Sequence, residues 1–190
     1  MRGNIRLMND DPAKNLFPLI VPVEYVESGV WKLPHSELNA RDLILTWVIL
    51  SEGQTIVYVT ADQVNDWKRR EMDWEAIAFD NMRRATGENP ATHEMRDASG
   101  KLQWIAMMQA DGLGSSRVLM TRELSELFPQ GYLLAIPERS VGMAISSDAA
   151  PFQRESFMEV VRKCQSVGIT KMLDRLLEPK DLLPARTSGS

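Results

Sequence analysis

Residues 42–60 read DLILTWVILSEGQTIVYVT. Two runs rich in β-branched and aromatic residues flank a four-residue turn carrying Gly53, the pattern of a β-hairpin. In the second run Ile56 and Tyr58 fall on one face and Val57 and Val59 on the other. A strand apolar on both faces belongs in a sheet covered at least partly on both sides. Two later stretches repeat the form. THEMRDASGKLQWIAMMQ (92–109) turns at Ser99-Gly100, and GYLLAIPERSVGMAIS (131–146) has Pro137 closing its first strand and Glu138-Arg139 at a charged, solvated tip.

Helices separate the hairpins. Thr60 followed by Gln63 is a capping box that starts one helix, which stops in the charged run 68–73. Asp73 caps the next, where Trp74, Ile77, Ala78 and Ala85 share a stripe and Gly87 and Pro90 mark the end. Residues 120–128 predict a helix with Met120, Leu124, Leu127 and Phe128 on one side. Residues 148–168 predict a longer one with Phe157, Val160, Val161, Cys164 and Val167 inward. Thr170 caps a last helix with Met172, Leu173, Leu176 and Leu177 inward, ending before Pro179. Pro18 and Pro22 break the apolar run 16–26, which excludes a long helix or a central strand there and leaves a short helix or an extended arm. Residues 29–40 read as a loop. The expected fold class is therefore α+β: a largely antiparallel sheet built from three hairpins, with interspersed helices packed on it. It forms one domain over 1–178, with 1–40 as a partly irregular arm and 179–190 as a disordered tail. The runs IVYVTADQVNDW and RVLMTRELSELF suggest a weak internal repeat.

The 190 residues are 44% hydrophobic and 25% charged, with a net charge of -4 and one cysteine. That balance carries no basic footprint for nucleic acid and suits an anionic membrane surface no better. A single cysteine forms no internal disulfide and fits a reducing compartment. With no apolar leader and no run long enough to span a bilayer, the expectation is a soluble, cytoplasmic, bacterial-style domain.

The chemistry is concentrated in DGLGSSR, residues 111–117. Gly112 and Gly114 permit positive φ, so the 112–116 amides can converge as an anion nest. Ser115 or Ser116 can cap a helix, and Arg117 supplies a fork for carboxylate or phosphate. Asp111 would be base or metal ligand. Arg139, if it converges with Arg117, completes an anion-binding pair. The phosphate-loop Lys and the third glycine of a dinucleotide fingerprint are missing, so the plainer reading is a turn after a strand. His35 and His93 lack metal-ligand partners, and no metal or cofactor is expected. Cys164 reads as a small buried hydrophobe, and the Asp62 and Asp66 pair as a solvated face. Lys68, Arg69 and Arg70 lie near Trp67 and Trp74, but both tryptophans fit core stripes. Asn81 falls inside an apolar stripe, where an amide needs partners, and reads as a structural tether.

In this order, LFPLIVPV (16–23), LNARDLILTWVI (38–49), VYVTADQVNDW (57–67), WEAIAFDNMRRA (74–85), DGLGSSRVLM (111–120) and LLAIPERSV (133–141) resemble the bacterial YtpQ-like proteins of unknown function. The resemblance covers residues 14 to 147 and falls on Asn81, Asp111, Ser116, Arg117, Pro137 and Arg139. Ser140 stands where that family usually has an aspartate. The resemblance implies a fold and segment boundaries but no activity. Three functions stay open. The first is a non-enzymatic binding or protein-interaction domain whose contact surface carries Asp111, Arg117 and Arg139. The second is an enzyme or sensor for a small anionic ligand such as a phosphate ester or nucleotide. The third is a structural homo-oligomer docked through the 16–26 arm.

Overall fold

The structure, a computed structural model, describes residues 12–185 except 28, 30, 31, 52–54, 91 and 92. The fold is α+β, and its strands form two four-stranded antiparallel sheets rather than one. The first sheet is centred on β3 (Leu43–Leu50). On one side β3 pairs with β1 (Leu16–Pro22) along its whole length, from Leu16↔Ile49 to Pro22↔Leu43. On the other side it pairs with β2 (His35–Glu37) and β4 (Ile56–Tyr58), which lie end to end. The second sheet runs β5 (His93–Arg96), β6 (Leu102–Met107), β8 (Val141–Ser146), β7 (Tyr132–Glu138). The three hairpins are β3–β4, β5–β6 and β7–β8; the Gly53 turn of the first lies outside the described residues.

The proline-broken run is an edge strand. The Ile20 N–H points away from β3, to Ser116 Oγ at 3.0 Å. Pro18 and Pro22 share its parity, so their missing N–H groups fall on the outer side, where no ladder bond is lost. Leu16, Leu19, Ile20 and Val21 are fully buried in the chain's own core, so this segment is not a free arm for docking on a second copy. The expected loop 29–40 contains β2. β3, not β4, is the strand buried on both faces: β4 is short and outermost, and its Val57 side chain faces solvent.

Helix α1 is a single turn at Glu24–Glu27. Helix α2 (Ala61–Arg69) has the full capping box, with Thr60 N–H donating to Gln63 Oε1 at 2.9 Å and Gln63 N–H to Thr60 Oγ1 at 3.3 Å. Asp73 caps α3 (Trp74–Glu88) by accepting from Ala76 N–H. A Cβ at Gly87 would meet nothing within 4 Å, so Gly87→Ala is expected to raise unfolding stability by about 0.5–1 kcal/mol in urea titrations. Helices α4 (Thr121–Leu127) and α5 (Pro151–Val167) complete the set. The suggested repeat does not hold. Thr60 caps α2 after a strand, whereas Thr121 lies inside α4, follows a 3-10 helix and has no capping role.

Two expectations at the C-terminal end are overturned. Residues 170–177 form no helix but run extended along the outer edge of β7. Leu134 and Leu177 exchange both backbone bonds (2.9 and 2.8 Å), and Leu173 N–H donates to Ile136 O at 2.9 Å. Leu177 packs between the sheets and Leu176 on the opposite face of the second sheet, as neighbours in an extended chain must. The spacing that mimicked a helix serves two faces of one sheet edge. Residues 179–185 are likewise ordered. A 3-10 turn at Pro179–Leu182 buries Leu182, and Ala185 N–H donates to Glu37 O at 2.8 Å, covering the outer edge of β2. Residues 186–190 lie outside the described set.

The main core lies between the sheets, where Leu16, Leu45 and Trp47 meet Ile105, Leu134, Ile136 and Ala144. Trp67 and Trp74 are buried there and Trp74 stacks edge-on against Trp47 with centroids 4.6 Å apart, which confirms their core reading. The far face of the first sheet (Phe17, Leu19, Ile44, Val48) is covered by Met82, Leu113 and Met120. The far face of the second (Ala135, Met143, Ile145) is covered by Phe157 and Val161 of α5. Residues 110–120 thus run between β6 and the first sheet.

Candidate functional site

Asp111 makes the turn after β6. Its Oδ1 accepts from Leu113 N–H at 3.0 Å, and Gly112 sits at φ +71, where a side chain would be strained. A 3-10 helix then spans Gly114–Leu119. Gly114 lies against backbone: a Cβ there would be 2.0 Å from Ser140 O and 2.3 Å from Met107 O. Gly142 of β8 meets it from the other side, since a Cβ there would lie 2.2 Å from Gly114 O. The glycines of this loop therefore serve turn geometry and close packing.

Four of the five amides at 112–116 are consumed internally. Gly112 N–H goes to Gln109 O, Leu113 N–H to Asp111, Ser115 N–H to Arg139 O and Ser116 N–H to Leu113 O. Ser116 Oγ takes the Ile20 N–H of β1. Arg117 is 0% exposed and forks onto Asp111, Nη1 to Oδ1 at 2.9 Å and Nη2 to Oδ2 at 2.6 Å. The Asp111 side chain is 17% exposed. Ser115 is buried, and its hydroxyl has no partner among the described residues. The segment is a strut that ties β1, the end of β6 and the β7–β8 turn together. An Arg117 fork held this way is not offered to an external anion, and neither residue of the pair belongs to an open contact surface.

Arg139 and Arg117 serve different partners. The Arg139 backbone carbonyl accepts from Ser115, while its side chain bonds the Tyr58 phenol. Burial and the nearby Tyr25 push the Tyr58 hydroxyl pKa up, and Arg139 offsets this only in part. The β7–β8 tip is not solvated as expected. Glu138 is buried, and its carboxylate accepts from the Ser140 N–H and hydroxyl and from Thr170 N–H. Ser140 thus works as a donor that an aspartate would not provide. Pro137 O accepts from Met172 N–H. Asn81 donates through Nδ2 to Ala13 O (2.7 Å) and Leu16 O (3.0 Å) and accepts from Arg84 through Oδ1, which pins α3 to the start of β1.

Burial alone would raise the Asp111 carboxyl pKa. The Arg117 hydrogen bonds, the Leu113 N–H and the guanidinium charge outweigh it and hold the group below the usual carboxylate range. A depressed folded pKa means that Asp111 stabilises the fold above the ordinary carboxylate value, about 4. That contribution is lost as pH falls through the depressed value. Urea midpoints measured from pH 7 to pH 2 should fall more steeply at the acid end for the wild type than for Asp111→Asn.

No group of three or more His, Cys, Asp or Glu among the described residues could hold a metal ion. Both histidines are exposed. Cys164 is half-buried on α5, and burial followed by the Glu138 charge pushes its thiol pKa up, away from a nucleophile's. Asp66 pairs with Arg69 and Arg70 at the surface. Three clefts, of about 360, 640 and 420 Å³, are lined by neither 111–117 nor Arg139. No helix among the described residues is long and apolar enough to cross a membrane. No family model matches the chain, and neither a curated protein nor a solved structure matches it.

Sequence reasoning passed over Glu138 as a buried group, Tyr58 as the Arg139 partner, and Gly142. Gly142 did carry a signal, because a glycine inside a strand marks close approach of another backbone.

Proposed function

We propose that the chain is a non-enzymatic protein-interaction domain that presents a fixed apolar knuckle, Val167-Gly168-Ile169, at the end of α5. The observation that carries this is the exposure of Val167 (77%) and Ile169 (99%) on a segment whose backbone is tied down by hydrogen bonds at Gly168 and Thr170. Gly168 lies so close to Glu138 that a Cβ would be 2.2 Å from Glu138 Cγ. Gly168 N–H donates to Cys164 O, Thr170 N–H to Glu138 and Arg139 N–H to Thr170 O. Apolar side chains on a preordered backbone lose little entropy on docking, so their burial translates efficiently into affinity.

The test is affinity capture from the source cell with wild type and with Val167→Asp/Ile169→Asp. Both sites are solvent-exposed, so the fold should survive. A stoichiometric partner held by wild type and lost by the variant is the expected result. The same set of captured proteins from both would overturn the reading. The small-anion alternative is separated by a thermal-shift screen with phosphate esters, nucleotides and carboxylates. A midpoint rise of about 2–4 °C that Arg139→Ala abolishes would favour it.

A further inference from the structure

We propose that the outer edge of β5 is a self-association surface, and that its partner is β5 of a second copy of this chain in antiparallel register with Met95 on the two-fold axis. This is independent of the knuckle. The chain covers three of its other edges itself, with residues 171–177 lining β7, residues 183–185 lining β2, and Ser116 and Asn81 tying down β1, and the remaining edge, β4, is only three residues long. β5 is paired only with β6 among the described residues, and all four of its residues are exposed. An edge left open is a template for another strand.

The charge order selects which strand. Glu94 and Arg96 lie two residues apart and already pair with each other, Arg96 Nε to Glu94 Oε1 at 3.1 Å and Nη2 to Oε2 at 3.0 Å. Charges on an edge, here with a register shift between Met95 and Arg96, repel strands that do not match them. An antiparallel copy of β5 does match. With Met95 facing Met95 of the second copy, each Glu94 stands opposite an Arg96, and directly opposed residues in such a pair have Cβ atoms about 4.5–5.5 Å apart. Met95 lies across from Trp104 on the face that α5 covers, so the two methionines would meet between two half-buried tryptophans. The contact is isologous and closes as a dimer, joining the β5–β6–β8–β7 sheets of the two copies into one.

The experiment is sedimentation equilibrium of the full chain over about 1–200 µM, a range that resolves micromolar association, on wild type, Glu94→Arg, Arg96→Glu and an equimolar mixture of the two variants. Both side chains are half exposed, and unchanged circular dichroism and melting midpoints establish that each variant folds. Wild type is expected to dimerise. Each variant should associate about tenfold or more weakly, as two cross-strand attractions become repulsions. The mixture should recover the affinity as a heterodimer, because all-Arg edges then face all-Glu edges. A wild type that stays monomeric throughout, a dimer indifferent to either variant, or a mixture no stronger than its components would overturn the proposal.

Discussion

Arg117→Ala is expected to cost about 3–5 kcal/mol, because it removes one partner of a buried ion pair and strands the other. The side chain is fully buried, and both Nη atoms serve Asp111. Truncation leaves the Asp111 carboxylate without its counter-charge and opens a cavity where the guanidinium lay. For a domain of this size the melting midpoint should drop by about 6–20 °C. Thermal unfolding by circular dichroism measures it directly. Arg139→Ala gives the contrast. Its guanidinium bonds the neutral Tyr58 phenol and the residue is only partly buried, so its loss should cost about 1 kcal/mol. An anion site built on both arginines would instead make the two variants similar in stability and alike in lost binding.

Gly114→Ala and Gly142→Ala are expected to destabilise by about 3 kcal/mol or more each, at the upper end of overpacking costs. What an added methyl would meet decides this. At Gly114 it meets the carbonyls of Ser140 and Met107, and at Gly142 the carbonyl of Gly114. Backbone held in a turn, at a strand end or in a packed 3-10 helix cannot step aside as a flexible side chain does. Gly112→Ala should be milder, about 1 kcal/mol, because its nearest obstacle is Ile56 Cδ1 at 3.7 Å and only the positive φ opposes it. The order Gly114 and Gly142 well above Gly112 can be read from urea midpoints. It is the order of a packed strut; a nest that binds an anion with its amides would make Gly112 the sensitive position in ligand binding instead.

Local chemistry was legible from the sequence wherever one short stretch decides the outcome. The Thr60–Gln63 box, the Asp73 cap, the three hairpins and the Asn81 amide are of this kind, since their partners lie within a few residues or must exist somewhere. Placement that depends on which edge needs covering was not legible. Leu173, Leu176 and Leu177 have helical spacing, yet the open carbonyls of Leu134 and Ile136 on β7 outcompete a helix for the same backbone. Leu182 and Ala185 read as tail because nothing nearby in sequence announces β2 as their partner. At 111–117 the residue types were those of an anion site, but Asp111 stands six residues before Arg117 and reaches it first. The sequence holds both members of that pair; only the turn at Gly112 brings them together.

The measurement that bears most directly on this account is a double-mutant cycle on the pair, with urea unfolding of wild type, Asp111→Leu, Arg117→Met and the double variant at pH 7. The lost Leu113 N–H acceptor cancels in the cycle, so the remainder is the ion pair itself. If 111–117 is a structural strut, each single variant loses stability heavily and the double recovers part of it, with a coupling energy of about 1.5–3 kcal/mol. Single variants close to wild type with a coupling below about 0.5 kcal/mol would contradict it, and would return Arg117 to the solvent and to an external ligand.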